Sequence, residues 1–332
     1  MDLRNLREIK EVSRERLQES QSQKQIVMIY GALSLGLAAL VTVVSFVLDL
    51  QMDNFGGLSN LGKRSMLSSV QSMLPFAQNI LIMCLEVGYV AAMLRIARGM
   101  YTSPQTLRLG FDRFWLLMRC VIFKGLILFG VLFSCLYFGT MIYMLTPFSK
   151  AAMEIVTPLM SQVTLLDTGI VIDDAAYAAL MKALIPAYVI WGVLVLALGG
   201  PMFYNYRMVN YVIIDKPGIG AMRALRESKR MMRGNRLALL KLDVSLWWYY
   251  LAAVAAVVLG YGDVLLPMIG VELPLSDNVA FFGFYGLYLA ASFGVYFFLR
   301  NRAEVAYALA YDAVKPEEKQ DNGVVLGNIF QM

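Results

Sequence analysis

Residues 26–48 run for 23 positions without a charged side chain. A helix needs about 20 mostly apolar residues to cross roughly 30 Å of hydrocarbon, so this run is long enough to span a membrane. Five further runs follow. Residues 74–97 are apolar apart from Gln78, Asn79, Glu86 and Arg95, and residues 120–145 carry one charge, Lys124. Runs 183–204, 244–262 and 279–299 complete the set, and Asp263 and Pro267 predict that the fifth helix has ended before residues 264–269. The predicted fold is all-α: a polytopic membrane bundle of about six transmembrane helices with basic interfacial helices on the cytoplasmic side. It divides into a charged N-terminal helix (1–25), a six-span domain (26–313) and a C-terminal tail (314–332). The charged first 25 residues, the length of the first run and the absence of a small-residue cleavage pattern predict that this span stays in the mature chain.

The whole chain is 59% hydrophobic and 16% charged, with mean hydropathy +0.61, against roughly 45–50% and about 25% for a soluble domain. There is no histidine, which excludes Ser-His and Cys-His nucleophiles, imidazole metal ligands and imidazole proton shuttles. Cys84, Cys120 and Cys135 lie far apart within apolar stretches, the pattern of small buried residues rather than of a disulfide or zinc framework. No catalytic constellation, cofactor motif or metal-ligand spacing is present, and no enzyme activity is expected.

Lys and Arg fall on alternate connections. The N-terminus, the segments after spans two and four, and the tail hold 24 of them; the other connections hold only Lys63, Arg64, Lys150 and Lys182. The positive-inside rule then predicts both termini in the cytoplasm. The formal net charge of +5 is thus concentrated beside membrane spans, as anionic headgroups favour. Nucleic acid is not an expected partner, since no segment is long enough for a soluble domain with a basic face.

The segment 217–236 is the most informative. It opens on Pro217 and closes on Gly234-Asn235, suitable ends for a helix. Ala221, Ala224, Leu225, Ser228 and Met232 share one face; Arg223, Arg226, Lys229, Arg230 and Arg233 share the other. A narrow apolar stripe with a basic back predicts a helix lying in the headgroup region, followed by the aromatic belt Trp247, Trp248, Tyr249 and Tyr250. A weaker elbow follows Pro104 (Leu107, Phe111, Phe114, Trp115, with Arg108 and Arg113), and both an internal repeat and two independent connectors fit the pair. At the N-terminus, Leu3, Leu6, Ile9, Val12 and Leu17 form a stripe among nearly balanced charges, which suits a solvated or protein-facing helix. The tail is polar and then mildly apolar, compatible with either a free or a docked segment.

The stretch KPGIGAMRALRESKRMMRGNRLALLKLDVSLWWYYL, residues 216–251, resembles the bacterial integral-membrane family catalogued as domain of unknown function 975. The resemblance rests on Ala224, Leu225, Ser228, Met232, Gly234 and Asn235, then Leu242 and Ser245, with Leu246 and Tyr249 where that family carries Phe and Trp. GGPMFYNYRMVNYVIID, GYVAAMLRIARG and GFDRF extend it upstream to about residue 80, with Gly200-Pro201 in reversed order. It implies a multi-span bacterial cell-membrane protein and no established activity.

Each candidate site has a plainer alternative. Glu86 is the acid well inside a span; it suits a proton- or cation-coupled site, or a structural carboxyl that is kept neutral or hydrogen-bonded to Asn79 or to a facing helix, with Lys124 the obvious partner. Asp243 and Ser245 are expected to open the fifth span, as a phosphate-binding helix start or as a cap. Gly199, Gly200 and Pro201 suggest a broken helix or a kink. Glu154, Asp167, Asp173 and Asp174 sit in an expected outer loop, solvated or weakly cation-binding. The leading expectation is a non-enzymatic module. It contacts anionic lipid through Arg223, Arg226, Lys229, Arg230, Arg233 and Asn235, and a membrane protein or a second copy of itself. The alternative is a transporter built on Glu86, Asn79 and Lys124.

Overall fold

Apolar runs of this length close their backbone hydrogen bonds within themselves, and in the computed structural model each of them is helical. The structure describes residues 3, 5–54, 61–163, 174–268, 270–271 and 276–315. In chain order the helices are α1 (Leu6–Glu19), α2 (Gln23–Asn54), α3 (Leu61–Ala97), α4 (Leu109–Asp112), α5 (Phe114–Met144), α6 (Pro147–Val163) and α7 (Asp174–Leu194). Then come α8 (Gly200–Asn205), α9 (Val209–Asp215), α10 (Ala221–Met231), α11 (Arg236–Ser245), α12 (Trp247–Gly260), α13 (Gly262–Met268), α14 (Asp277–Val295) and α15 (Asn301–Val314). A 3-10 turn, Pro104–Arg108, precedes α4, and π turns at Val195–Gly199 and Tyr296–Arg300 join α7 to α8 and α14 to α15.

Five stretches are long and apolar enough to span a membrane: Gln23–Met52, Gly62–Ala97, Phe114–Met144, Ala178–Asp215 and Asn278–Val314. The pair α11–α12, bent by 61°, supplies a sixth if it is one pass. The chain is therefore an all-α, polytopic bundle. The tail, 316–332, lies outside the described residues, as do Asp167 and Asp173.

The chain forms two compact units. The first comprises residues 1–117, 208–219 and 231–332. Its core is concentrated where α1, the end of α3, α9 and α15 meet: Ile9, Ala91, Met93, Leu94, Val212, Ile213, Val305 and Ala308 are all buried. The apolar stripe of α1 faces protein, with Ile9 fully buried and the Ser13 hydroxyl donating to the Arg302 carbonyl at 3.1 Å. Lys10 Nζ donates to the Ser245 carbonyl at 2.8 Å. The first and last described helices thus meet at one end of this unit.

Two glycines set the elbow after α3. A Cβ on Gly88 would collide with the backbone of Leu107, and one on Gly110 with the backbone of Cys84. The 3-10 turn and α4 consequently lie directly on α3, and the elbow read after Pro104 is held by protein.

The second unit comprises residues 118–207 and 220–230. Tyr143, Ala152, Ala183 and Ala187 form its small core, with Trp191 against it. The Tyr143 hydroxyl donates to the Ala183 carbonyl at 3.0 Å. Residues 147–163, expected to be outer loop, are the helix α6: Pro147 starts it, and its apolar side packs on α7. Nor is the Gly199-Gly200-Pro201 sequence a break. The π turn absorbs it, and helix resumes at Gly200 with Pro201 in the first turn, where its missing N–H costs nothing.

Candidate functional site

In α10 the sequence and the structure agree face by face. Ala221, Ala224, Leu225 and Ser228 are buried, as is Met232 just after the helix. Arg223, Arg226, Lys229, Arg230 and Arg233 are exposed. The apolar stripe, however, is covered by protein and does not face lipid: the buried Ser228 hydroxyl donates to the Asn205 carbonyl at 2.8 Å. What the helix presents outward is its basic side. Arg119, Arg223 and Arg226 border a hollow of about 560 Å³ with Phe123 and Met222, and no acid lines it among the described residues. Asn235 is half-buried, and its amide donates to the Met231 carbonyl at 2.9 Å, closing the helix end. Gly234 takes φ +90°, the left-handed turn that lets the chain leave α10 for α11.

The positions that carry the family resemblance are therefore structural. Ala224, Leu225, Ser228, Met232 and Leu242 are buried at 2% exposure or less, and Gly234 makes the turn.

Glu86 is half-buried, and its partner is Arg300, whose Nη2 donates to Oε1 at 3.2 Å. The guanidinium is buried among three tyrosine rings, with its carbon 4.9 Å from the centroid of Tyr296, 5.0 Å from Tyr30 and 5.5 Å from Tyr89. Tyr30 and Tyr89 stack at 4.4 Å. Ring faces are negative, so the cage and the carboxylate together compensate a cation that would otherwise be costly to bury. The π turn Tyr296–Arg300 places both Tyr296 and Arg300 in this cage. The facing-helix partner is Arg300 rather than Lys124 or Asn79: Asn79 is exposed, and Lys124 is half-buried with Nζ 5.8 Å over the Phe203 ring. Replacing Glu86 with Gln keeps an acceptor for Arg300 and leaves the rings in place. The expected cost is about 1–2 kcal/mol, read as a small fall in melting temperature in detergent.

Beyond Ala97 a second ionic cluster joins α3, α9 and α15. Arg98 donates through Nη1 to Asp215 at 2.8 Å and through Nη2 to Asp312 at 2.6 Å, while Lys315 Nζ reaches Asp215 at 2.5 Å. Tyr311 adds its hydroxyl to Asp215 at 3.2 Å. Two bases and two acids cancel, so no net charge is held there. The Asp312 hydrogen bond, followed by that of Asp215, outweighs burial and holds the Arg98 guanidinium even further above its ordinary range. Arg113, by contrast, is drawn below its ordinary value by burial; it donates to the carbonyls of Ile213 and Ile214, in the last turn of α9.

Asp243 does not open a helix. It lies late in α11, which begins at Arg236, and the bend at Leu246 follows it. Its carboxylate accepts hydrogen bonds from Tyr307 and from Tyr250, the latter at 3.3 Å. Ser245 donates back to the Leu242 carbonyl at 2.7 Å. The helix-start phosphate site expected at this pair is thereby removed. Glu154 is exposed on α6 and Asp174 begins α7, so these acids stand on helices rather than in a loop. The three cysteines are buried and free, as their sequence setting predicts.

Arg300, Asp215 and Asp312 escaped the sequence reading. The available signal was the Ala- and Tyr-rich segment 301–314, which continues the last apolar run as helix and carries Arg300 into the interior.

No curated protein and no solved structure matches the chain. The model of a family described as "Protein of unknown function (DUF975)" matches residues 1–315. With 315 of its 332 residues matched, the chain belongs to that family.

Proposed function

We propose that this membrane protein is a non-enzymatic module of the cell membrane whose cytoplasmic face engages anionic lipid and a membrane partner. The observation that carries the proposal is the division of α10: its apolar face is occupied by the protein, and four of its bases, with Arg233 just beyond it, remain outward. Bases beside a membrane boundary attract anionic headgroups, worth about 1 kcal/mol each near such a surface. The concentration of Lys and Arg on alternate connections supports the cytoplasmic side for this face and for both termini. Bare apolar surface on the spans, such as Leu40, Phe129 and Leu196 at 60–75% exposure, suits lipid and a neighbouring helix protein alike. The transporter reading loses its main support, since Glu86 is engaged by Arg300 within an aromatic cage.

Extraction of the full chain into polymer-bounded native nanodiscs tests this reading, with the co-extracted lipid quantified. The quadruple variant R226Q/K229Q/R230Q/R233Q is expected to lose most of the enrichment in anionic over zwitterionic lipid. An unchanged lipid ratio would contradict the proposal.

A further inference from the structure

The first unit holds a second feature, separate from α10, that fits a specific ligand. Between α1, the start of α2 and the junction of α14 with α15 lies a groove of about 700 Å³. That is within the roughly 300–1,000 Å³ typical of ligand sites. Its lining combines basic, neutral polar and aromatic side chains. Arg14, Lys24 and Arg302 supply three cations, and no acid lines the groove among the described residues. Phe297 and Phe298 supply an apolar wall, Phe298 at 65% exposure, with the buried Val27 behind it.

The position of the groove explains this combination. α1 and Lys24 precede the charge-free run 26–48 and Arg302 follows the apolar run 279–299, whereas Phe297 and Phe298 lie within the latter. The groove therefore lies where apolar runs give way to charged sequence. The π turn at Tyr296–Arg300 helps to shape it: just beyond the turn, the Arg302 N–H is taken by the Asn301 side chain at 2.8 Å, and Asn301 is buried in the groove wall. On the other side, the Ser13 bond to the Arg302 carbonyl fixes α1 in place.

We infer that this groove is a binding site for one anionic phospholipid molecule, with its phosphate on Arg14, Lys24 and Arg302 and an acyl chain along Phe297 and Phe298. A free phosphate would satisfy the cations but leave the aromatic wall in water. A hydrocarbon alone would leave three bases without a counter-charge. The two halves match the chemistry of a lipid of the anionic leaflet. The inference shares with the proposed function the placing of the basic end at that leaflet, but it uses none of the α10 residues.

The test is a titration of the purified full chain in mild detergent with phosphatidylglycerol, phosphatidylcholine or inorganic phosphate, read by native mass spectrometry. The expected result is one phosphatidylglycerol per chain, bound well before further copies. R14Q/K24Q/R302Q, all on exposed side chains, is expected to weaken that first event on the order of tenfold or more. Phe298→Ser should weaken it several-fold while leaving every charge in place. The variant R226Q/K229Q/R230Q/R233Q should leave the first event unchanged, so that failure of the groove and failure of α10 are told apart. Equal first-site binding of phosphatidylcholine, retention of the lipid by R14Q/K24Q/R302Q, or no effect of Phe298→Ser would overturn the assignment. The last outcome, together with an inorganic phosphate adduct, would identify a simple anion site instead.

Discussion

Arg98→Ala is expected to lower stability by about 3 kcal/mol, toward the lower end of the range for breaking a buried ion pair by removing one partner. Asp215 is the reason. Its side chain is only 10% exposed, and without Arg98 it keeps Lys315 and Tyr311 but loses its 2.8 Å guanidinium bond. Asp312, at 31% exposure, can recover water more easily, which sets the estimate at the lower end. The loss falls where α3, α9 and α15 are held together, so the expected readout is a large drop in melting temperature in detergent with early proteolysis of α15. Arg98→Lys should give an intermediate result, because an ammonium restores the charge without the guanidinium fork that reaches two carboxylates at once. A variant Arg98→Ala melting with the parent would show that the cluster is not holding these helices.

The second large effect is expected from Gly88→Val. Overpacking typically costs ~1–3 kcal/mol and occasionally more. Here the obstacle is the Leu107 backbone rather than a side chain that can rotate away. The turn Pro104–Arg108 must then lift from α3, and the expected cost is about 3 kcal/mol or more. Gly110→Ala meets the Cys84 backbone across the same contact. Because both substitutions open one interface, the double variant should cost less than the sum of the two. Limited proteolysis between residues 99 and 113 reads the lifted elbow directly. Resistance equal to that of the parent would contradict the close approach.

These residues show how far the sequence was legible. The spans and the two faces of α10 could be read because apolar length and helical spacing are local properties, printed in consecutive residues. The covering of the α10 stripe could not, since amphipathic spacing looks the same whether the apolar face meets lipid or Asn205 and its neighbours. Glu86 stood out as an acid in a span, but its partner Arg300 lies 214 residues away. Hydropathy falls after residue 299, which groups Arg300 with the basic tail, while the helix itself runs on to Val314. Asp243 misled for a related reason: in sequence it precedes an apolar run, but α11 has already begun at Arg236 and turns by 61° only afterwards. Gly199-Gly200-Pro201 has the composition of a break, yet a π turn accommodates it without one.

The proposed function depends on α10 lying at the cytosolic, anionic side of the membrane. Labelling with a membrane-impermeant maleimide tests that placement most directly, because Cys84, Cys120 and Cys135 are all buried. In intact cells Arg230→Cys is expected to stay unlabelled until the membrane is permeabilised, whereas Tyr261→Cys, exposed after α12, should react at once. Labelling of Arg230→Cys in intact cells would place the basic face outside and contradict the account.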